Sequence, residues 1–274
     1  MEKALGLYLA QKRKELGYTQ KNLADKLNVS FQAISKWENG NTTPDITLLP
    51  QIAYVLNTSV DALVGYNRTA QTVYEEKYNQ EDYYWGIAPN KLCYEIMKLK
   101  PPVKPYRVLD IGCGEGKDAV FLAKNGYIVS AFDMADAGLK KAKELAERNH
   151  VSIDFFHGDI NDYTPHAQFD IVFSSGVFHY LATSQRKKLI DALKEHTAPN
   201  GIHAINVFVK KPFIAVAPDS EDTERQREPW HTGELPGYYH DWLFHKNEEI
   251  IFDCNSSGVP HKHCMDIIVA EKYV

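Results

Sequence analysis

From the start of the chain to about residue 66, apolar residues recur at helical spacing and no strand-like run interrupts them. The texture changes at residue 107. Short apolar runs at 108–111, 128–132, 153–157, 169–173 and 201–209 each end at turn-forming residues and alternate with helical stretches, among them 135–149 and 186–196. That alternation predicts an α/β domain with a doubly wound, mostly parallel sheet. Later runs at 248–253 and 265–270 predict a closing strand pair, with an antiparallel strand at the C-terminus. The polar stretch 67–72 reads as a linker, which divides the chain into 1–66 and 73–274.

Within the first unit, Thr19 caps a short helix through Leu27 that places Leu23, Ala24 and Leu27 on one face. Asn28-Val29 turns the chain, and Ser30 caps a second helix that ends at Asn39-Gly40. Two capped helices joined by a tight turn predict a helix-turn-helix arrangement. Ala24, Val29, Ile34 and Trp37 read as core.

The run Val108-Leu109-Asp110-Ile111-Gly112-Cys113-Gly114-Glu115-Gly116 reads as a buried strand, a glycine turn and the opening of a helix. A second strand ends at Asp133, 21 positions after Gly112, close to the ~20 expected of an acid that grips a ribose diol. The spacing shows a nucleoside site in a Rossmann-like domain. Charge separates the two cofactors that fit. Asp110, Glu115 and Asp118 outnumber Lys117, which suits the ammonium of S-adenosylmethionine better than the pyrophosphate of NAD.

Residues 107–133 resemble the cofactor-binding start of class I S-adenosylmethionine-dependent methyltransferases. The resemblance implies that Asp110 orders the methionyl ammonium, that Gly112 and Gly114 lie under methionine and ribose, and that Asp133 binds the ribose hydroxyls. It further implies that Met134 packs on the adenine, that Asp159 meets its amino group and that Ile160 meets its face. Asp159 also reads as a helix cap. Ser174, at the end of the fourth strand, sits where the sheet meets cofactor and substrate. Residues 3–65 resemble the phage-repressor (Cro/C1-type) DNA-binding family, on the Tyr18–Gly40 pattern. That resemblance implies double-stranded DNA as partner, with Gln32 and Lys36 facing bases, Ser30, Phe31 and Ser35 beside them, and Gln20 at a phosphate. A protein-docking module is the other reading. Gly233-Glu234-Leu235, Tyr238-Tyr239 and Trp242 resemble the tellurite-resistance methyltransferase family over about residues 73–274.

Charge divides the chain in the same place. The first 68 residues hold eight Lys/Arg against six Asp/Glu, net +2, while the remainder is net −7 against −5 for the whole chain. A charge of +2 is a weak footprint for one copy on DNA, so a homodimer is a candidate partner. At 44% hydrophobic and 24% charged the composition is that of a globular protein with no membrane span. Four scattered cysteines and an opening without a signal-peptide core point to a cytoplasmic location.

After the fourth strand, Ser174-Ser175-Gly176-Val177 replaces the Asp/Asn-Pro-Pro-aromatic motif of enzymes that methylate amino groups of nucleic acids. No Pro-Cys nucleophile is present either. A small-molecule methyl acceptor is therefore expected, and the resemblance to the tellurite-resistance family implies a tellurium or selenium oxyanion as the candidate. His179 reads as a general base, a substrate ligand or a His packed on the cofactor loop. His231 and Tyr239 complete the candidate catalytic set, with Arg225, Arg227 and Tyr238 as further oxyanion donors. Tyr83, Tyr84 and Trp85 are candidates for a lid. His240, His245, His261 and His263 are too loosely spaced to predict a metal, and none is expected. The alternative function is a transcription regulator that senses S-adenosylmethionine or a toxic small molecule without turnover.

Overall fold

The computed structural model describes residues 2–58, 60–63, 72–215, 228–255 and 259–273. The chain forms two compact units, Met1–Gln71 and Thr72–Val274. Thr72 is not linker: its hydroxyl accepts the Tyr74 N–H and caps the first helix of the second unit.

The first unit contains α1 (Glu2–Glu15), α2 (Gln20–Leu27), α3 (Phe31–Glu38), a 3-10 turn (Ile46–Leu48), α4 (Leu49–Val55) and α5 (Val60–Leu63). Thr19 and Asn22 form a reciprocal capping box at the start of α2. Asn28 ends that helix in the left-handed region at φ 54°. Ala24, Ile34 and Trp37 are buried, and Val29 packs against them. Gly6 lets α1 approach α3, since a Cβ there would lie 2.3 Å from the Trp37 carbonyl oxygen. The buried Arg13 locks the same contact: its Nε and Nη2 donate to Glu38 at 2.6 and 3.0 Å.

The second unit opens with α6 (Val73–Tyr78) and α7 (Lys91–Leu99). Seven strands follow: β1 (Arg107–Ile111), β2 (Ile128–Asp133), β3 (Asp154–His157), β4 (Phe169–Ser175), β5 (Thr197–Phe208), β6 (Leu243–Cys254) and β7 (His261–Glu271). Between them lie α8 (Lys117–Lys124), α9 (Asp136–Arg148) and α10 (Thr183–Glu195). The sheet order is β3-β2-β1-β4-β5-β7-β6. The first five strands are parallel; β7 runs antiparallel to both β5 and β6.

Strand alternation divides the core into two layers. Leu109, Ile111, Val172 and Ile205 face α10, with Leu189 and Leu193. Val108, Ile171, Phe173 and Ala204 face α7 and α8, with Leu92, Ile96, Ala119 and Leu122. The carboxyl ends of the parallel strands therefore converge on one edge, where β1, β2 and β4 deliver Asp110, Asp133 and Ser174.

Candidate functional site

The site is built on backbone turns. Gly112, Gly114 and Gly116 have φ of 73°, 52° and 82°. Space is limiting as well: a Cβ at Gly112 would lie 2.3 Å from the Val177 side chain, and one at Gly114 would lie 2.9 Å from the Tyr78 hydroxyl. Asp133 is half-buried and braces this loop, its carboxylate accepting the Gly114 N–H at 2.8 Å and the Ala135 N–H at 2.9 Å. Met134 follows it, half-buried.

The acids of the loop differ in how they are compensated. Glu115 pairs with Lys141 at 2.9 Å and Asp118 with Lys117 at 3.1 Å. Asp110, 1% exposed, has a buried Oδ2 with no hydrogen-bond partner. Burial pushes its carboxyl well above the ordinary range; Asp118 and Asp133 add repulsion and Lys117 opposes them. A buried carboxylate oxygen of this kind calls for a cationic ligand. The excess acid inferred from the loop sequence thus reduces to one residue.

An aromatic cover lies on the glycine loop. Tyr78 fills the space between Gly114 and Gly138, and the Trp85 indole N–H donates to its hydroxyl at 3.2 Å. Tyr74 stacks on Tyr78 at 5.4 Å, and Tyr84 and Tyr180 meet Tyr74 edge-on. Glu75 fastens α6 to the start of α9 by accepting the Ala137 N–H. Tyr84 and Trp85 thus join the cover. Tyr83 instead lies under Lys141 and Arg148. Tyr74, Tyr78 and Tyr180 are additions that the sequence signals only as aromatics on a six-residue helix and after β4.

Ser174 and Tyr239 need correction, and the other candidates are placed as follows. The Ser174 hydroxyl is fully buried and donates to the Ile111 carbonyl at 2.9 Å, so it ties β4 to β1 and has no surface to offer a cofactor. Ile160 is 6% exposed and belongs to the core beside Phe132. Asp159 closes a turn, accepting the Asn161 N–H at 2.9 Å. His179 is buried, its ring against Tyr180 and Phe208. His231 is exposed, and its backbone N–H donates to Glu234. Arg225 and Arg227 lie outside the described residues.

Tyr239 is the clearest correction. It is fully buried, and its hydroxyl meets His203 Nδ1 at 2.8 Å. His203 Nε2 meets the Thr197 hydroxyl oxygen at 2.7 Å, and that hydroxyl donates to the Leu193 carbonyl. Since Thr197 has spent its proton, His203 must donate from Nε2 and accept from Tyr239 at Nδ1. Burial holds the His203 imidazolium pKa down at about 3, so the ring is neutral. Tyr239→Phe should therefore leave methyl transfer intact and cost about 1–2 kcal/mol in thermal denaturation, the penalty of an unsatisfied buried acceptor. The lowered pKa also predicts acid sensitivity. The folded state binds fewer protons than the unfolded between pH 6.5 and about 3, so stability falls as pH drops through that window.

The C-terminal aromatic segment is architectural too. Arg186, 1% exposed, donates to Glu234 at 2.6 Å and lies 4.3 Å over the Trp230 ring. Trp230 in turn donates to the Phe178 carbonyl at 2.9 Å. Glu234 starts a helical turn (Glu234–Gly237), so the pair fastens that turn and α10 to the loop after β4.

On the face of α3 in the first unit, Gln32, Lys36 and Phe31 are exposed, with Phe31 at 48%. Ser30 spends its hydroxyl as the α3 cap, accepting the Ala33 N–H. Ser35 is half-buried, and its hydroxyl oxygen accepts from Asn39 at 3.5 Å. Gln20 is turned inward, its amide donating to Glu38 at 2.8 Å, so its side chain is committed within the unit. Among the described residues, no helix is long and apolar enough to cross a membrane.

Comparison with known proteins matches both units. Residues 9–63 fit the helix-turn-helix family model and residues 108–201 the methyltransferase-domain model. A probable S-adenosyl-L-methionine-dependent methyltransferase, TehB, of Haemophilus influenzae is 25% identical over 69% of this chain and 61% of its own length. Hemagglutinin 1 of Eikenella corrodens is 30% identical over 57% of this chain and 50% of its own. The chain thus spans half to three-fifths of these curated relatives. The crystal structure of Haemophilus influenzae TehB superposes with a TM-score of 0.59 at 25% identity, covering 73% of this chain and 65% of that one.

Proposed function

We propose that this chain, which joins a helix-turn-helix domain to an S-adenosylmethionine-dependent methyltransferase domain of TehB-like type, methylates a small soft nucleophile and binds double-stranded DNA. The carrying observation is the buried, unpartnered Asp110 Oδ2 beside a glycine cradle. The residues fit the cofactor: Asp110 offers its ammonium a counter-charge, and Gly112 and Gly114 offer close backbone approach. When bound, S-adenosylmethionine supplies an electrophilic methyl group.

The chain's own share is placement and exclusion of water. Asp133 holds the loop through the Gly114 N–H. Tyr74, Tyr78 and Trp85 close over it. His179, between Tyr180 and Phe208 and after β4, is the residue we place next to the acceptor, where it orients it or takes a proton. A tellurium or selenium oxyanion attacks through the chalcogen lone pair and needs no base; a thiol needs one. The full chain with methyl-labelled cofactor and a panel of tellurite, selenite, thiols and amines tests this. Transfer to one class supports the reading. Tight cofactor binding without transfer, together with DNA affinity that changes with ligand, would identify a sensor instead.

For DNA, Gln32 and Lys36 are the exposed polar side chains that we place in the major groove, as bidentate adenine and guanine readers. Gln32→Ala and Lys36→Ala should each cost about 1–3 kcal/mol of discrimination at one base pair, and Lys36→Ala, which also removes a cation, should weaken binding more at low salt. A mobility-shift series across salt, using the chain's own upstream DNA, checks both.

A further inference from the structure

Outside the cofactor site, the β6–β7 hairpin gathers three ligand-type side chains on one face. Cys254 and His261 are directly opposed across the ladder, as are Phe252 and His263. Opposed residues, and residues two apart on one strand, point to the same side. The donor atoms of Cys254, His261 and His263 all lie within 4.8 Å of one another. We propose that these three residues form a binding site for a zinc-class divalent cation.

Geometry beyond proximity supports this. His261 Nδ1 is 2.7 Å from the Val259 carbonyl, which can only accept, so Nδ1 carries the proton and Nε2 the lone pair. A carbonyl that fixes the tautomer in this way is the usual outer support of a metal-binding imidazole. His261 Nε2 lies 2.8 Å from His263 Nε2, so one proton lies between two nitrogens aimed at a common point. A tetrahedral cation with bonds of about 2.0–2.1 Å needs those nitrogens about 3.3 Å apart, a small opening. On binding, His263 moves its proton to Nδ1, the Cys254 thiol releases its proton to solvent, and the cation takes two lone pairs and a thiolate.

Two imidazoles and a thiolate suit zinc and other borderline-to-soft ions rather than magnesium or calcium. Three protein ligands leave a fourth position open. Phe208 and Phe252 wall the cluster, their rings 4.8 and 5.8 Å from the His263 ring. Phe208 also meets the His179 ring, at 4.9 Å. The cluster thus stands one ring from the residue placed next to the acceptor, at the carboxyl end of β5.

Zinc titrated calorimetrically into the full chain should bind one equivalent at micromolar affinity or tighter. Cys254→Ser and His263→Gln should each weaken it at least 100-fold without changing the metal-free melting temperature. Cobalt(II) should give a thiolate charge-transfer band. Zinc should also protect Cys254 of the native chain from alkylation, read by mass spectrometry; the other three cysteines are buried. The protection arm needs no variant to fold. Absence of a stoichiometric site, cobalt bound without a thiolate band, unprotected Cys254, or unchanged affinity in the folded variants overturns the proposal.

Discussion

Asp110→Asn is expected to make the cofactor-free protein more stable and the cofactor weaker. The amide keeps the shape and removes a carboxyl whose burial is uncompensated. Because burial raises its pKa, the folded state binds more protons than the unfolded above the ordinary value of 3.8. Stability therefore falls as pH rises from that value towards the raised one. Asn removes that slope, and the melting temperature at neutral pH should rise by a few degrees. Binding moves the opposite way. Loss of a charge-assisted contact to an ammonium costs about 2–3 kcal/mol, or roughly 30- to 150-fold in affinity. Asp110→Ala should lose transfer altogether. An Asn variant that is both less stable and equally tight would place the ammonium elsewhere.

The second large effect is expected at Glu234, far along the sequence from any cofactor residue. Its carboxylate is the counter-charge of Arg186, whose side chain is 2% exposed. Glu234→Ala leaves that guanidinium buried and unpaired, which costs about 3 kcal/mol, the lower end for a broken buried pair because Glu234 itself keeps 23% exposure. In thermal unfolding of a domain this size the loss is roughly 6–12 °C. Methyl transfer should fall as well, since Trp230 under Arg186 holds the Phe178 carbonyl next to His179. Replacing both charges with Met should recover much of the stability, because no charge is then left buried alone. A Glu234→Ala protein that melts like the parent would make the motif ornamental.

What the sequence made legible followed from local periodicity. The capped helices around Thr19 and Ser30 and the strand–glycine–helix run at Asp110 are written in consecutive residues, and the structure forms them there. Strand ends were less legible. β5 begins at Thr197, before Gly201, because Thr197 already pairs with Phe169 of β4; the register then shifts before Ile202, across Pro199 and the left-handed Asn200 at φ 58°. Side-chain roles that depend on distant partners were not legible at all. Tyr239 resembles an exposed donor until His203, 36 positions away, is brought to its hydroxyl. Gln20 resembles a phosphate ligand until Glu38 takes its amide. Cys254 gains meaning only through the hairpin register that sets it opposite His261.

The central claim is that Asp110 answers a cationic nucleoside cofactor. Calorimetric titration of the full chain with S-adenosylhomocysteine, in two buffers of different ionisation enthalpy at one pH below the raised Asp110 value, tests it most directly. The account predicts one site per chain, no heat with NAD, and proton release as Asp110 ionises against the ammonium. It also predicts that the release disappears in Asp110→Asn. Binding of NAD at the same site, or S-adenosylhomocysteine binding with unchanged affinity and unchanged proton release in Asp110→Asn, would contradict it.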